Sequence, residues 1–399
     1  MARRGPWSVV LALALVTAAL ATDAPGTAAG APAESTNDWA QISSGYYHTC
    51  AVKATGQLWC WGQNTHGQLG TGGTTPSSVP AQVGVATDWK SVSAGSAWTC
   101  AVKTAGTLWC FGRDDYGQLG NGPGTTADQP SPVQVGTATD WASVSSGLGE
   151  TTCGRRASKR IYCWGRDNNG QVGNGGGNVD VSSPVQVAGN HPDWSSVSTG
   201  GYHACGRRSN GRVYCWGDDL DGAVGDGGAG VDRANPVVVA RGFTNWTSVS
   251  SGLTHTCGRR ATGRLYCWGS DINGGLGNGA GNTSKYAPVE VRGATTDWAA
   301  VFAGGYTTCA RKVTGRLFCW GHDAYGQVGT GLNDAVDNAA PTQVTGGSTD
   351  WATATIGNLH VCARRNTSRL YCWGYGFFGQ RGDGQSGSNA NQPTPTEVS

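Results

Sequence analysis

Charge is scarce in this chain. Only 14% of its 399 residues are Asp, Glu, Lys or Arg, against about 25% in a typical soluble domain, which excludes a chain kept unfolded by its own charge. The net charge of +2 is too small to argue by itself for a nucleic-acid or membrane-surface partner. Methionine occurs once and Phe six times, beside 17 Trp, so the aromatic content is concentrated in a few reused positions. No segment keeps a helical period of apolar residues. What the chain has in excess is glycine, 66 residues, with an apolar fraction of 38% that supports a buried core and excludes a collagen-like chain.

One apolar run stands apart. Ser8 to Ala21 follows Arg3 and Arg4 and ends on the small residues Ala19-Leu20-Ala21, which predicts a Sec-type signal peptide over residues 1–21 and a secreted, extracellular protein. The run falls short of the roughly 20 residues a membrane span needs, so a retained anchor is the alternative and the mature chain is expected to have no span. Residues 22–37 (TDAPGTAAGAPAESTN) read as a flexible linker. The folded part is expected over residues 38–399.

The 14 Cys fall into pairs whose members stand ten positions apart: Cys50 with Cys60, Cys100 with Cys110, Cys153 with Cys163, Cys205 with Cys215, Cys257 with Cys267, Cys309 with Cys319, and Cys362 with Cys372. In an exported chain an even count suggests disulfides, and a hairpin turning near Thr55 sets Cys50 opposite Cys60. The competing reading is zinc, because His48, His203, His255 and His360 precede a first Cys by two positions. That spacing is not a standard zinc pattern, and Trp98, Thr151 and Thr307 fill the position in the other copies.

A period near fifty residues means a repeat architecture. Trp39, Trp89, Trp141, Trp194, Trp246, Trp298 and Trp351 open the units; Trp61, Phe111, Trp164, Trp216, Trp268, Trp320 and Trp373 follow each second Cys. Short β-branched and aromatic stretches bounded by Gly and polar turns predict four strands per unit. The fold class is therefore all-β, a seven-bladed β-propeller with one stapled hairpin per blade; a linear solenoid is the alternative. The C-terminal Pro395–Val398 is expected to complete the blade begun by residues 38–61.

The stretch from Trp61 to Gly70, Trp-Gly-x-Asn-x-x-Gly-Gln-Leu-Gly, with copies at Phe111–Gly120, Trp164–Gly173 and Trp320–Gly329, resembles the repeat signature of the regulator of chromosome condensation (RCC1) family. The resemblance covers residues 38–399. Gly222-Ala223 and Gly274-Gly275 lack the Gln, and Gln380-Arg381 lacks the Leu, so altered loops are expected in units four, five and seven. The family implies a propeller and, in its nuclear members, chromatin binding and nucleotide exchange on a small GTPase, partners an exported chain does not meet. A secreted bacterial propeller that inhibits β-lactamases is the closer functional analogy, and it implies a protein partner held on the loop face.

Meander geometry assigns the loops to two faces. On one lie Tyr46, Tyr47, Trp98, Tyr202 and Tyr306, the expected partner-binding residues, with Tyr116, Tyr325, Tyr375, Phe377 and Phe378 nearby; large loop aromatics are typical interface anchors. The bland alternative is that these rings only stiffen the propeller. The recurring His is expected to bond within its own blade. On the other face gather Arg155, Arg156, Arg207, Arg208, Arg259, Arg260, Arg311, Arg364 and Arg365, an alternative site for an acidic cell-surface glycan, unless Asp38, Asp88, Asp140, Asp193, Asp297 and Asp350 pair with them.

No Ser-His-Asp set or phosphate-cradling loop stands out, and Asp218-Asp219-Leu220-Asp221-Gly222 lacks the spacing of a calcium loop. The expectation is a non-catalytic, monomeric binding scaffold for an extracellular protein, with no cofactor, no metal and no nucleic acid. A propeller enzyme is the remaining alternative.

Overall fold

The computed structural model describes residues 38–124, 126–228, 230–280, 282–332 and 336–399; the expected signal peptide and linker lie outside the described residues. Each repeat folds as four consecutive antiparallel strands, giving seven four-stranded sheets. In the first, β1 (Trp39–Ser44) pairs with β2 (His48–Lys53), β2 with β3 (Leu58–Gly62), and β3 with β4 (Ser77–Gln82). A bulge after the opening Trp recurs in every blade: Trp39 faces Lys53, but Gln41 faces Val52. It bends the strand and turns the indole inward, where Trp39 meets Trp61 at 5.9 Å. All six residues of β2 are buried, because neighbouring blades cover the middle of the sheet on both sides, whereas β4 is half-exposed.

The first strands are innermost and line a channel of about 140 Å3. They are stitched by hydroxyls. Ser43 Oγ accepts the Ala94 N–H of the next blade at 2.9 Å, Ser93 that of Ser146 at 2.8 Å, Ser145 that of Thr199 at 3.0 Å, and Thr355 that of Ser44 at 3.0 Å. The last of these crosses from the seventh blade to the first.

The ring closes, but not as the sequence suggests. Gln392–Glu397 pairs with Leu370–Gly374 inside the seventh sheet, and β4 completes the first, so no strand is exchanged. The reason is a joint that all seven blade pairs share. The loop from the third to the fourth strand reaches over the next blade, Gly72 N–H donating to Pro130 O at 2.8 Å and Gly384 N–H to Ser78 O at 2.9 Å. Under that loop, the Gln171 carbonyl accepts the Trp216 Nε1–H at 2.9 Å, and the Gln380 carbonyl accepts Trp61 Nε1–H at 3.0 Å. The final glycine of the signature sits against the same indole: Gly173 has φ +72°, and a Cβ there would enter the Trp216 ring. The motif recurs because it is the socket for the neighbour's buried ring, Trp in six blades and Phe111 in the second. A solenoid is excluded.

All seven expected disulfides are present, with Cα separations of 4.0 to 4.1 Å: Cys50 is bonded to Cys60, Cys100 to Cys110, Cys153 to Cys163, Cys205 to Cys215, Cys257 to Cys267, Cys309 to Cys319, and Cys362 to Cys372. Each joins residues directly opposite one another across the second and third strands of its blade. No cysteine is free, which removes the thiolates the zinc reading needs.

Candidate functional site

Trp98 is not on the loop face. It opens the second strand of its blade and is fully buried, so it cannot reach a partner. It stands in the His column and does what His does. His48 Nε2 lies 2.9 Å from Thr99 Oγ1 of the next blade, His203 2.7 Å from Thr256, His255 2.8 Å from Thr308, and His360 2.8 Å from Thr49. Trp98 Nε1–H donates to Thr152 Oγ1 at 3.0 Å. Thr99, Thr49 and Thr152 spend their hydroxyl protons on the carbonyls of Gln68, Gln380 and Gln118. A hydroxyl has one proton, so it must accept from the ring: the histidines are neutral with hydrogen on Nε2. Burial agrees, holding His48, His203 and His360 down at about 3 and His255 at about 4. The contact runs to the next blade, not within the blade as expected.

The other loop aromatics form a continuous arc. Tyr46 meets Tyr47 at 4.6 Å, Tyr47 meets Phe378 at 4.9 Å and Tyr375 at 5.9 Å, and Phe377 lies 5.0 Å from Phe378. Tyr375 continues to Tyr325 at 4.8 Å, and His322 joins Tyr325 to Tyr306 at 6.4 and 6.3 Å. Blades one, seven and six contribute. The rings are half-buried, and Phe377 is 43% exposed. Burial pushes the Tyr46 phenol up to about 12, helped by the nearby phenols of Tyr47, Tyr306 and Tyr202, so it stays a neutral donor.

The loop of blade seven is built to present this cluster. Five blades place an Asp, and the first blade Asn64, where blade seven has Gly376. Asn64 Oδ1 accepts the Leu69 N–H at 2.9 Å and Asp167 Oδ1 that of Val172 at 2.8 Å, closing the loop. In blade seven a Cβ on Gly376 would run into the Ala390 carbonyl and then into Arg381, which replaces the Leu, is fully buried and lies 2.7 Å from Asp383. Units four and five keep the ordinary loop course, contrary to expectation, because the joint uses backbone: Ala223 O accepts Trp268 Nε1–H at 3.0 Å and Gly275 O accepts Trp320 Nε1–H at 2.9 Å.

Charge enters the face at blades two and three. Glu150 lies 3.1 Å from Arg166 and 3.7 Å from Arg113, and Arg166 stands over the rings of Tyr116 at 4.9 Å and Tyr202 at 6.0 Å. Glu150 has φ +63°, because its loop holds one residue more between Gly147 and Cys153 than the matching loops of other blades. Such strain costs on the order of 1–3 kcal/mol. Tyr202 and Tyr306 thus occupy the loop face with Tyr46 and Tyr47.

On the hairpin face the arginines three positions after each first Cys are partnered within their own blades. Arg156, Arg208 and Arg365 lie 2.6, 2.8 and 3.8 Å from Asp140, Asp193 and Asp350, while Arg260 donates to Asn245 Oδ1 at 2.8 Å. Each is also stacked on aromatic rings, Arg260 at 3.8 Å over Phe243 and Arg365 at 4.5 Å over Tyr371. Arg207 and Arg259 donate to the Trp246 and Trp298 carbonyls of the next blade at 3.3 and 2.6 Å. Arg364 Nη1 reaches the Arg365 carbonyl at 3.4 Å. Arg155 and Arg311 are half-exposed beside them. Among the described residues no cluster of His, Cys, Asp and Glu is arranged to hold a metal, and no helix is long and apolar enough to cross a membrane.

A family profile described as the regulator of chromosome condensation (RCC1) repeat matches residues 39–68, 89–118, 141–171, 194–223, 246–274, 298–327 and 354–380. The chain is similar to the ultraviolet-B receptor UVR8 of Arabidopsis thaliana, 29% identical over 229 residues, 57% of this chain and 51% of the receptor. It therefore spans about half the length of that relative. Among solved structures, yeast RCC1 (Prp20) bound to Kap60 gives a TM-score of 0.74 at 16% identity, covering 86% of this chain and 83% of that one. Human WBSCR16 gives 0.73 at 19% identity, covering 83% and 88%. At such identities the structures speak for the fold alone.

Proposed function

The chain belongs to the regulator of chromosome condensation (RCC1) repeat family, and from that premise we propose that it is a secreted, non-catalytic scaffold that binds another protein through the aromatic arc of its loop face. The observation that carries this reading is the unbroken contact chain from Tyr46 through Phe378, Tyr375 and Tyr325 to Tyr306. Half-exposed aromatics that hold one another in place lose little rotamer freedom on binding, which suits them as interface anchors. The similar proteins support a binding role: one is a receptor by name and another was solved bound to a second protein. Nucleotide exchange is set aside because the reading as an exported chain removes the GTPase.

Affinity capture from the native extracellular medium tests the proposal. The wild-type chain should retain a protein that the Tyr46→Ala/Tyr47→Ala/Phe377→Ala/Phe378→Ala variant loses. Equal retention by both would refute the aromatic arc. A ligand that both retain and that salt releases would instead favour a polyanion on the hairpin face.

A further inference from the structure

Between the fourth and fifth blades the loop face holds a cavity of about 190 Å3, lined by Tyr202, His203, Asp218, Leu220, Asp221, Ala223, Leu253 and Thr254. It combines a small residue in the Gln column of the repeat with two leucines particular to this place, Leu220 and Leu253. In five blades the position carries Gln, whose side chain is buried and folds back on its own loop, Gln171 Oε1 accepting the Asn169 N–H at 2.8 Å, while blade five has Gly275. Blade four has Ala223 there, and its methyl leaves the space open.

The lining combines two chemistries, apolar and acidic. Leu253 and Ala223 are buried, Leu220 is 69% exposed beside them, and Tyr202 lends a half-buried ring. Asp218 and Asp221, both half-buried, line the cavity with them. Burial raises the Asp218 carboxyl, and the neighbouring charges of Asp232 and Asp221 raise it further. Asp218 accepts the Leu220 N–H at 2.7 Å, Asp221 accepts from Ser284 Oγ at 3.4 Å, and Asp232 accepts from Asn169 and the Asp219 N–H. Among the described residues none of these three carboxylates is in an ion pair. The nearby Arg166 guanidinium is bound to Glu150.

We propose that this cavity is a socket for one basic side chain, Arg or Lys, of a protein partner, its aliphatic stem lying along Leu220, Leu253 and Tyr202 and its charge meeting Asp218 and Asp221. The proposal rests on the reading of the loop face as the protein-binding one. The volume is well below the roughly 300–1,000 Å3 of pockets that enclose small-molecule ligands, and fits a single side chain. A long basic side chain has an apolar stem and a charged tip, the same two chemistries that line the cavity. A bare metal ion fits less well, since the described carboxylates do not converge as ligands. The socket shares the loop face with the aromatic arc: Tyr202 and Asp221, which line it, are near enough to Tyr306 at one end of the arc to raise that phenol, after burial.

Small probes separate this proposal from the arc itself. The full oxidised chain, labelled in its Leu methyls, is titrated with N-acetylarginine methylamide, and in parallel with its norleucine counterpart. Saturable shifts at Leu220 and Leu253 are expected with the arginine probe, at least tenfold weaker with norleucine. Ala223→Gln should remove them by filling the space without changing charge, and Asp218→Asn/Asp221→Asn by removing the negative charge. The Tyr46→Ala/Tyr47→Ala/Phe377→Ala/Phe378→Ala variant should bind the probe as the wild type does. No saturable shift, equal binding of norleucine, or full binding by Ala223→Gln would overturn the socket, as would a response to calcium chloride in place of arginine. Loss of a captured protein in the arc variant alone would leave the arc standing without the socket.

Discussion

On the hairpin face, Arg208 lies 2.8 Å from Asp193 and 5.5 Å over Tyr214, and the same trio returns around the ring with small changes of residue type, Lys103 with Asp88 and Trp109, Lys312 with Asp297 and Phe318. On the loop face, Tyr47 meets Phe378 and Tyr375, and the blades opposite hold Arg166 with Glu150 or the open cavity beside Ala223. A group that recurs with its partners in each blade is already satisfied inside the repeat. One that changes from blade to blade is free to meet something else. The comparison teaches that position within the repeat, more than residue type, separates frame from interface.

The largest effect expected from breaking the frame is at the joint. Trp216→Ala should cost about 3–5 kcal/mol, read as a drop in the denaturant midpoint, whereas Phe377→Ala on the loop face should stay within about 0.5 kcal/mol. Equal costs would erase the distinction between the two regions. Next comes the covalent staple. Replacing both Cys205 and Cys215 by Ser opens one ring of ten-residue separation and should lower stability by about 2–3 kcal/mol on loop-entropy grounds.

Much of this frame was legible in the sequence. Cys pairs at fixed spacing and the Gly-Gln-Leu-Gly stretches marked each blade, since both act within one repeat or at its edge. Contacts between repeats were less legible. The His column reads as scaffold, but its partner Thr lies in the following blade, a neighbour that only the closed ring supplies. Trp98 reads as an interface anchor because it follows a glycine loop, yet it stands two positions before Cys100, in the His column whose side chains point inward. The strand exchange expected at closure failed because Ser77–Gln82 already fills the fourth place in the first sheet.

Acid sharpens the comparison, because the two buried columns oppose each other. The four histidines bind protons in the unfolded chain below about 6.5 but in the folded chain only near 3 to 4, so their contribution is complete above 6.5 and is lost as pH falls toward 3. Asp114, Asp167 and Asp219, raised by burial to about 6 from 3.8, keep protons that the unfolded chain releases. They add stability as pH falls from 6 to 3.8. Over that range the two largely offset, and unfolding midpoints should change little. Asp114→Asn/Asp167→Asn/Asp219→Asn, borrowing the residue blade one uses at Asn64, should make stability fall more steeply between pH 6 and 4. An unchanged profile would contradict the assignment.

The smallest effect belongs to the exposed charge pairs. Asp193→Ala should change stability by no more than about 1 kcal/mol, but should leave Arg208 without its carboxylate and strengthen retention on a heparin column, moving elution to higher salt. Retention equal to that of the wild type would show that these pairs do not hold the basic face in check.

The most direct test of the binding role is the affinity of a captured partner for two variants measured side by side. Tyr46→Ala/Tyr47→Ala/Phe377→Ala/Phe378→Ala should weaken it by about 100-fold or more, the scale of a lost hot spot, while Arg155→Ala/Arg207→Ala/Arg311→Ala/Arg364→Ala should leave it within about twofold, because rim and remote charges contribute little to affinity. The reverse pattern, with the arginine variant impaired and the aromatic one intact, would contradict the account.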